Sequence, residues 1–198
     1  MIVIGLTGSI AMGKSEVARI LSAEGLPVFD ADKEVHALYD SPDGARLLAH
    51  LAPAAISAGR VDRGSLSRLI LNDPALLERL EVIVHAEVAK RRAAFIADAE
   101  KKGCGIVVVD VPLLFEKSGD TTVDLTIVVS APEYLQRRRA LARPGMTAEK
   151  LDMILKRQLP DAEKRQRATH VIENDGSLDA LRDKTLTVLK FIKREHAL

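Results

Sequence analysis

The sequence predicts an α/β fold, a five-stranded parallel sheet flanked by helices. Three observations carry that prediction. Five short runs rich in β-branched residues recur along the 198 residues. Most are continuously apolar rather than alternating, as strands covered on both faces are. Segments of helical period separate them, and strands alternating with helices build parallel sheets.

The first run, Ile2 to Leu6, enters a glycine-rich turn. Residues 14 to 24 then put Val17, Ile20 and Leu21 on one helical face, and Gly25 follows as the residue that closes the helix. Pro27 to Phe29 is the second strand. Asp73 and Pro74 open a long helix with an N-cap and a proline at its first position. Leu77, Leu80, Val84 and Val88 mark its buried stripe, and Gly103 ends it. Ile106 to Val109 and Leu125 to Val129 are the third and fourth strands, and Val171 to Ile172 with its flanks is the fifth. Ser177 caps a last helix with Leu178, Leu181, Leu189 and Ile192 along one side. About 75 residues of purely helical pattern separate the second and third strands, and about 40 the fourth and fifth. Crossovers in a compact sheet are much shorter, so both stretches read as functional insertions on one core.

Composition excludes several classes. A 47% hydrophobic fraction and near-zero mean hydropathy rule out a disordered or fibrous chain. A single Cys forms no internal disulfide, which points to a reducing compartment. Cys104, flanked by glycines, reads as an incidental thiol. No apolar run is long enough to span a bilayer, and Met1 leads into Ile2 and Val3 without the basic region of a signal peptide. A cytoplasmic location is expected. The net charge of +1 hides an asymmetry, because residues 134 to 170 carry ten Lys and Arg against four Asp and Glu, and the remainder has a balance of −5. Such a segment suits an anionic partner, a nucleic acid or a polyphosphate, or else is a solvated helical face. The histidines lack paired ligand spacing, so no structural metal is expected. His50, His170 and His196 read as surface or local hydrogen-bonding groups, and His85, amid apolar helical neighbours, as a core histidine.

Gly8-Ser9-Ile10-Ala11-Met12-Gly13-Lys14-Ser15 matches G-x-x-x-x-G-K-[ST] at each fixed position, with a strand running in and a helix running out. Glycines let backbone N–H groups curl around phosphate oxygens, and the helix N-terminus favours negative charge. Lys14 is expected at the β- and γ-phosphates and the Ser15 hydroxyl on Mg²⁺. A signalling GTPase is excluded, since no Gly has an Asp three residues before it, and Asn72 and Asn174 are each followed by Asp rather than Lys. Val109-Asp110-Val111-Pro112-Leu113-Leu114-Phe115-Glu116 puts an acidic residue at a strand end. There Asp110 is either a turn former or part of the Mg²⁺ shell, and the phosphate loop favours the second. Glu116 suits a cap or a local salt bridge. Asp30 and Asp32 follow the second strand, at the edge where parallel sheets bind ligands. Asp30 is expected to cap the next helix, and Asp32 to orient or deprotonate an attacking hydroxyl.

These motifs, in this order, resemble those of dephospho-CoA kinases along the whole chain. Gly5-Leu6-Thr7-Gly8 through Ser15 is similar to the family's opening, Asp30-Ala31-Asp32 to its DAD motif, and Asp110 to Glu116 to its D-[IV]-P-L-L-F-E segment. Arg157-Gln158, Lys164 and Val171-Ile172-Glu173-Asn174-Asp175-Gly176 resemble its R-x-x-Q-like helix and V-I-x-N-x-G loop. Ser9 stands where the family often has a second Gly, a place a Ser fills at negative φ, and Ala86 follows His85 where His-Pro is usual.

The resemblance implies one P-loop kinase domain over residues 1–198, an ATP-dependent phosphotransferase acting on the ribose 3′-hydroxyl of dephospho-CoA. Its core would be residues 1–30, 104–132 and 166–198, with a helical acceptor-binding insertion at 31–103 and a helical lid at 133–165. It implies ATP held by Gly8, Ser9, Ile10, Ala11, Met12, Gly13, Lys14, Ser15 and Glu16, with Arg139, Arg143, Asn174 and Gly176. The acceptor would meet Thr7, Asp32, His85, Leu113, Phe115 and Glu116, although Phe115 by itself reads as core. Lys14, Asp32 and Arg143 would carry catalysis, and Ser15 and Asp110 would hold Mg²⁺. A nucleoside monophosphate kinase or small-metabolite kinase is the alternative on the same core. A nucleotide-dependent RNA binder is a second, but the basic segment has a single aromatic, Tyr134, and so lacks stacking platforms. The partners expected are ATP and dephospho-CoA, with no nucleic acid or membrane, for a monomer that self-associates weakly at most.

Overall fold

The computed structural model describes residues 1–197, which divide into two compact units: residues 1–29 with residues 98 onward, and residues 30–97. The first unit is built on a five-stranded sheet. β1 (Ile2–Thr7) is central, and the order is β2 (Val28–Asp30), β5 (Ile106–Asp110), β1, β6 (Leu125–Ser130), β7 (His170–Glu173). β1 pairs in parallel with β5 and β6, and β6 with β7. The register sets Leu6 beside Asp110, Thr7 beside Val128 and Ser130 beside Glu173, so these strands finish together along one edge. All five residues of β5 are buried, which is why its sequence does not alternate.

The helices of this unit are α1 (Lys14–Ala23), α6 (Glu133–Leu141), α7 (Ala148–Leu155), α8 (Asp161–Arg167) and α9 (Leu178–Glu195). Val17, Ile20 and Leu21 of α1 pack with Leu181, Leu189 and Ile192 of α9 and with Ile4, Leu6, Val108, Ile127 and Val129 of the sheet. α1 closes as expected, with Gly25 at φ +85° and its N–H donating to Ser22 O. Ser177 caps α9 through the Ala180 N–H at 3.2 Å. Leu178 departs from its expected place and is 68% exposed. The buried stripe instead begins at Leu181 and continues through Thr185, whose hydroxyl donates to Leu181 O and so enters the core satisfied.

The second unit holds α2 (Ala31–Tyr39), α3 (Pro42–Leu48), α4 (Arg63–Asn72) and most of α5 (Pro74–Lys101) around Leu38, Leu48, Leu66, Leu80 and Val84. Its pattern is not purely helical. β3 (Ile56–Ser57) and β4 (Arg60–Val61) form an antiparallel hairpin, turned by Ala58 and Gly59 at φ +48° and +73°. Both central residues are left-handed, the geometry of a two-residue hairpin turn. Two further expectations on α5 are corrected. Leu76, not Leu77, starts the buried stripe, because it lies one turn before Leu80 and two before Val84. His85, adjacent to Val84 on the helix, is turned outward and exposed, so it is not a core histidine. Asp73 accepts the Leu76 N–H at 3.3 Å, as a cap should. Among the described residues, no helix is long and apolar enough to cross a membrane.

Candidate active site

The loop between β1 and α1 owes its shape to specific backbone positions. A Cβ on Gly8 would lie 2.6 Å from Val129 O, so only glycine lets the loop pass this close to β6. Ser9 is absent from the positive-φ residues, which explains how it fills a glycine position. Ala11 at φ +61° and Gly13 at φ +99° are left-handed, the backbone alternation of an anion nest, in which the Met12 N–H is itself taken by Ser9 O at 3.2 Å. Ala11 was invisible in the sequence in this respect, since alanine carries no left-handed signal. The α1 N-terminus begins at Lys14 and adds its own N–H groups and dipole.

Lys14 Nζ forms an ion pair with Asp110 Oδ1. The Lys14 side chain is 15% exposed and that of Asp110 only 3%. The parallel register that places β5 beside β1 brings the two together at the carboxyl edge. Ser15 is exposed on the first turn of α1. Glu16 is occupied locally. Its carboxylate accepts from Arg19 at 2.6 Å, which lowers its pKa, and its N–H donates to Gly13 O.

Asn174 holds the loop from the end of β7. It is 7% exposed, and its Nδ2 donates to Met12 O at 2.9 Å. A Cβ on Gly13 would lie 2.0 Å from that Nδ2, so Gly13 answers a steric demand as well as a conformational one. Arg139 of α6 donates to Asn174 O at 3.0 Å and to Asn174 Oδ1 at 3.3 Å. Arg139 therefore holds Asn174 by both its backbone and its side-chain oxygen. Arg143 is exposed, just past α6, in a turn containing Gly145 at φ +72°. Gly176 begins the approach to α9, where a Cβ would meet that of Ala180 at 3.3 Å.

The loop after β5 is fastened from several sides. Val111 N donates to Leu6 O at 3.0 Å, and Thr7 Oγ1 donates to Pro112 O at 3.0 Å. Thr7 is fully buried and Phe115 is 3% exposed, with the Arg167 guanidinium 4.6 Å above the Phe115 ring. Both side chains are packed against protein in this structure. Leu113 is partly buried. Glu116 Oε1 accepts the Leu159 N–H at 2.9 Å and lies 2.8 Å from Lys164 Nζ. Lys164 is wholly buried, a commitment that no pattern in the sequence announced.

In the second unit, Asp30 caps α2, accepting the Lys33 N–H at 3.0 Å and pairing with Lys33 Nζ at 2.9 Å. Asp32 is exposed in the first turn of the same helix. Capping thus falls to Asp30, as expected, and Asp32 is left facing outward. Among the described residues, no group of three or more His, Cys, Asp or Glu is arranged to hold a metal by itself. Mg²⁺ in nucleotide sites needs no such cage, because phosphate oxygens and water supply most of its ligands. A buried carboxylate at the strand end beside Lys14, with a hydroxyl at Ser15, fits that partial donor set.

Comparison with known proteins agrees with this geometry. The sequence profile of the dephospho-CoA kinase family matches residues 2–180. A dephospho-CoA kinase of Rhodopseudomonas palustris (strain BisB18) is 48% identical over 189 residues, spanning 96% of this chain and 94% of that one. One from Agrobacterium fabrum is 45% identical over 190 residues, spanning 96% and 97%. A crystal structure from Thermus thermophilus superimposes with a TM-score of 0.81 at 37% identity, covering 96% of each chain. Dephospho-CoA kinase from Campylobacter jejuni (TM-score 0.74, 23% identity, 98% of each chain) shares the fold. So does shikimate kinase from Acinetobacter baumannii (TM-score 0.54, 19% identity, 98% of this chain and 94% of that one). A P-loop backed by Asp110, an α/β sheet of kinase topology and close relatives along nearly the whole sequence lead to one conclusion: the chain belongs to the dephospho-CoA kinase family.

Proposed function

We propose that the protein transfers the γ-phosphoryl group of ATP to the ribose 3′-hydroxyl of dephospho-CoA, the last step of coenzyme A biosynthesis. The observation that carries this reading is the nest of residues 8–15 with Lys14 held against Asp110, inside a chain of this family. The nest N–H groups and Lys14 would bind the β- and γ-phosphates, and Lys14 would neutralise charge as the phosphoryl group departs. Ser15 and Asp110 would hold Mg²⁺, which when bound bridges phosphate oxygens and spreads their charge. Asp32 would orient the acceptor hydroxyl or take its proton, which its exposure on α2 leaves it able to do.

Residues 133–165 would act as a lid that excludes water and brings Arg143 to the transferring group. Residues 31–103 would bind the acceptor, with His85 on their exposed surface. Leu113 and the second oxygen of Glu116 would contribute from the loop after β5, and Thr7 and Phe115 would shape that loop from behind. Arg137, Arg139, Lys164, Arg165 and Arg167 are engaged within the protein, which favours small anionic substrates over a nucleic acid for the basic segment. We place the protein in the cytoplasm as a monomer. The test is ADP release from ATP against a panel of acceptors. Turnover with dephospho-CoA well above that with nucleoside monophosphates, shikimate and sugars is expected. Release driven equally by one of the others would displace the acceptor assignment while leaving the kinase reading intact.

A further inference from the structure

The phosphate-binding loop is gripped from outside by amide side chains. Gln136 on α6, 5% exposed, donates from Nε2 to the Ile10 carbonyl at 3.0 Å. Gln158, just beyond α7, accepts the Ile10 N–H on Oε1 at 3.1 Å. Both polar groups of a single loop residue are therefore taken by side chains at the two ends of the lid segment. The same elements meet through an apolar cluster, in which Ile10 and Ala11 pack with Ala140, Met146, Leu151 and Leu155.

The physical need for such a bracket is plain. A nest that turns its N–H groups inward leaves carbonyls pointing out, and those require donors. Ile10 O receives Gln136 and Met12 O receives Asn174, one on each side of Ala11. Ala11 sits at φ +61°, an unfavourable conformation for a residue with a Cβ, so the loop keeps it only where its surroundings impose it.

We propose that Gln136 and Gln158 are positioning residues that hold the phosphate-binding loop in its anion-ready form and tie it to the lid segment. They touch no phosphate themselves. They act through Ile10, fixing the backbone on which the nest N–H groups are aimed. The inference rests on the loop binding phosphate and is independent of the acceptor. Its test therefore reads phosphate binding, and a change of acceptor assignment would not disturb it.

The measurement is calorimetric binding of ADP and of inorganic pyrophosphate to wild type, Gln136→Leu, Gln158→Leu and the double variant, beside KM for dephospho-CoA and thermal melting. Each single variant is expected to weaken ADP and pyrophosphate about five- to tenfold alike, the loss of one well-made hydrogen bond. KM for dephospho-CoA should move less than about twofold, since the acceptor does not rely on this part of the loop. The double variant should cost little more than the worse single one, because both amides fix one residue. Gln136→Glu and Gln158→Glu complete the test, since they keep size and add a charge beside the same residue, and melting curves of both are read first because Gln136 is the more buried of the two. A glutamate at 158 still accepts the Ile10 N–H, whereas one at 136 has no proton to give. Gln158→Glu should therefore bind ADP several-fold more tightly than Gln136→Glu. Equal affinities for that pair would overturn the proposal. So would lowered melting temperatures with pyrophosphate binding unchanged, because the amides would then only pack the lid.

Discussion

Asp30 and Asp32 sit two residues apart at the start of one helix, yet they are differently employed. Asp30 accepts the Lys33 N–H and pairs with the Lys33 ammonium, and Asp32 projects from the first turn, exposed. Asn caps a helix about as well as Asp, so Asp30→Asn should leave both melting temperature and turnover near wild type. Asp32→Asn keeps shape but can neither take a proton nor offer charge, and should lower kcat by about 10²- to 10⁴-fold. The check is kcat with ATP and dephospho-CoA beside a melting curve for each variant, and the reverse ranking would exchange the two roles. Single residues of this kind were readable from sequence when a motif or a strand end fixed their place, as with Lys14, Asp30 and Asp110. Ala11 and Lys164 were not. Ala11, left-handed, packs against Ala140 and Leu151, and buried Lys164 pairs with Glu116, so both partners lie more than forty positions away and no local pattern encodes them.

At the scale of elements, strands buried on both faces announced themselves, and so did the caps at Asp73 and Ser177. The β3–β4 hairpin did not, because two residues per strand are too few to show alternation and Ala58-Gly59 is a weak turn signal. The phosphate loop was plain as a motif, but its supports were not, since Asn174, Gln136 and Gln158 reach it from distant elements. Those supports make Gly13 an exacting position. Gly13→Ala must place a Cβ 2.0 Å from Asn174 Nδ2 on a backbone at φ +99°. A loss of about 2 to 4 kcal/mol in urea unfolding is expected, from left-handed strain and the forced shift together. ADP affinity should fall with it, and a variant as stable as wild type would show that Asn174 moves aside freely. The lid is tested by Arg143→Ala. Arg143 lies exposed beyond α6, and a phosphate-clamping arginine contributes mainly in the closed, reacting complex. A fall in kcat of about 10²- to 10⁴-fold is expected, with KM for dephospho-CoA little changed. A rise in that KM alone would move Arg143 to the acceptor side.

For the molecule as a whole, stability should carry a pH signature from the end of the sheet. His170 opens β7 with the Phe191 ring edge-on at 5.6 Å, and burial lowers its pKa, with His196 adding to the effect and Glu195 opposing it. The unfolded chain therefore binds this proton more readily than the folded one. Stability from this group is fully present above about pH 6.5 and falls as pH drops below it. Melting temperature between about pH 7.5 and 5 should decline less steeply in His170→Gln than in wild type, and equal slopes would remove His170 as the cause. The larger commitment is Lys164, whose wholly buried ammonium lies 2.8 Å from Glu116 Oε1 and fastens α8 to the loop after β5. A buried pair adds little net stability when intact, because desolvation offsets attraction. Removing one partner is another matter, since it strands the other charge in protein. Lys164→Met should cost about 3 to 5 kcal/mol in urea unfolding. Adding Glu116→Gln to it should recover a good part of that loss, because the side chain left behind is then neutral and still accepts the Leu159 N–H. A double variant no more stable than the single one would mean that Lys164 is kept for its packing and not for its charge.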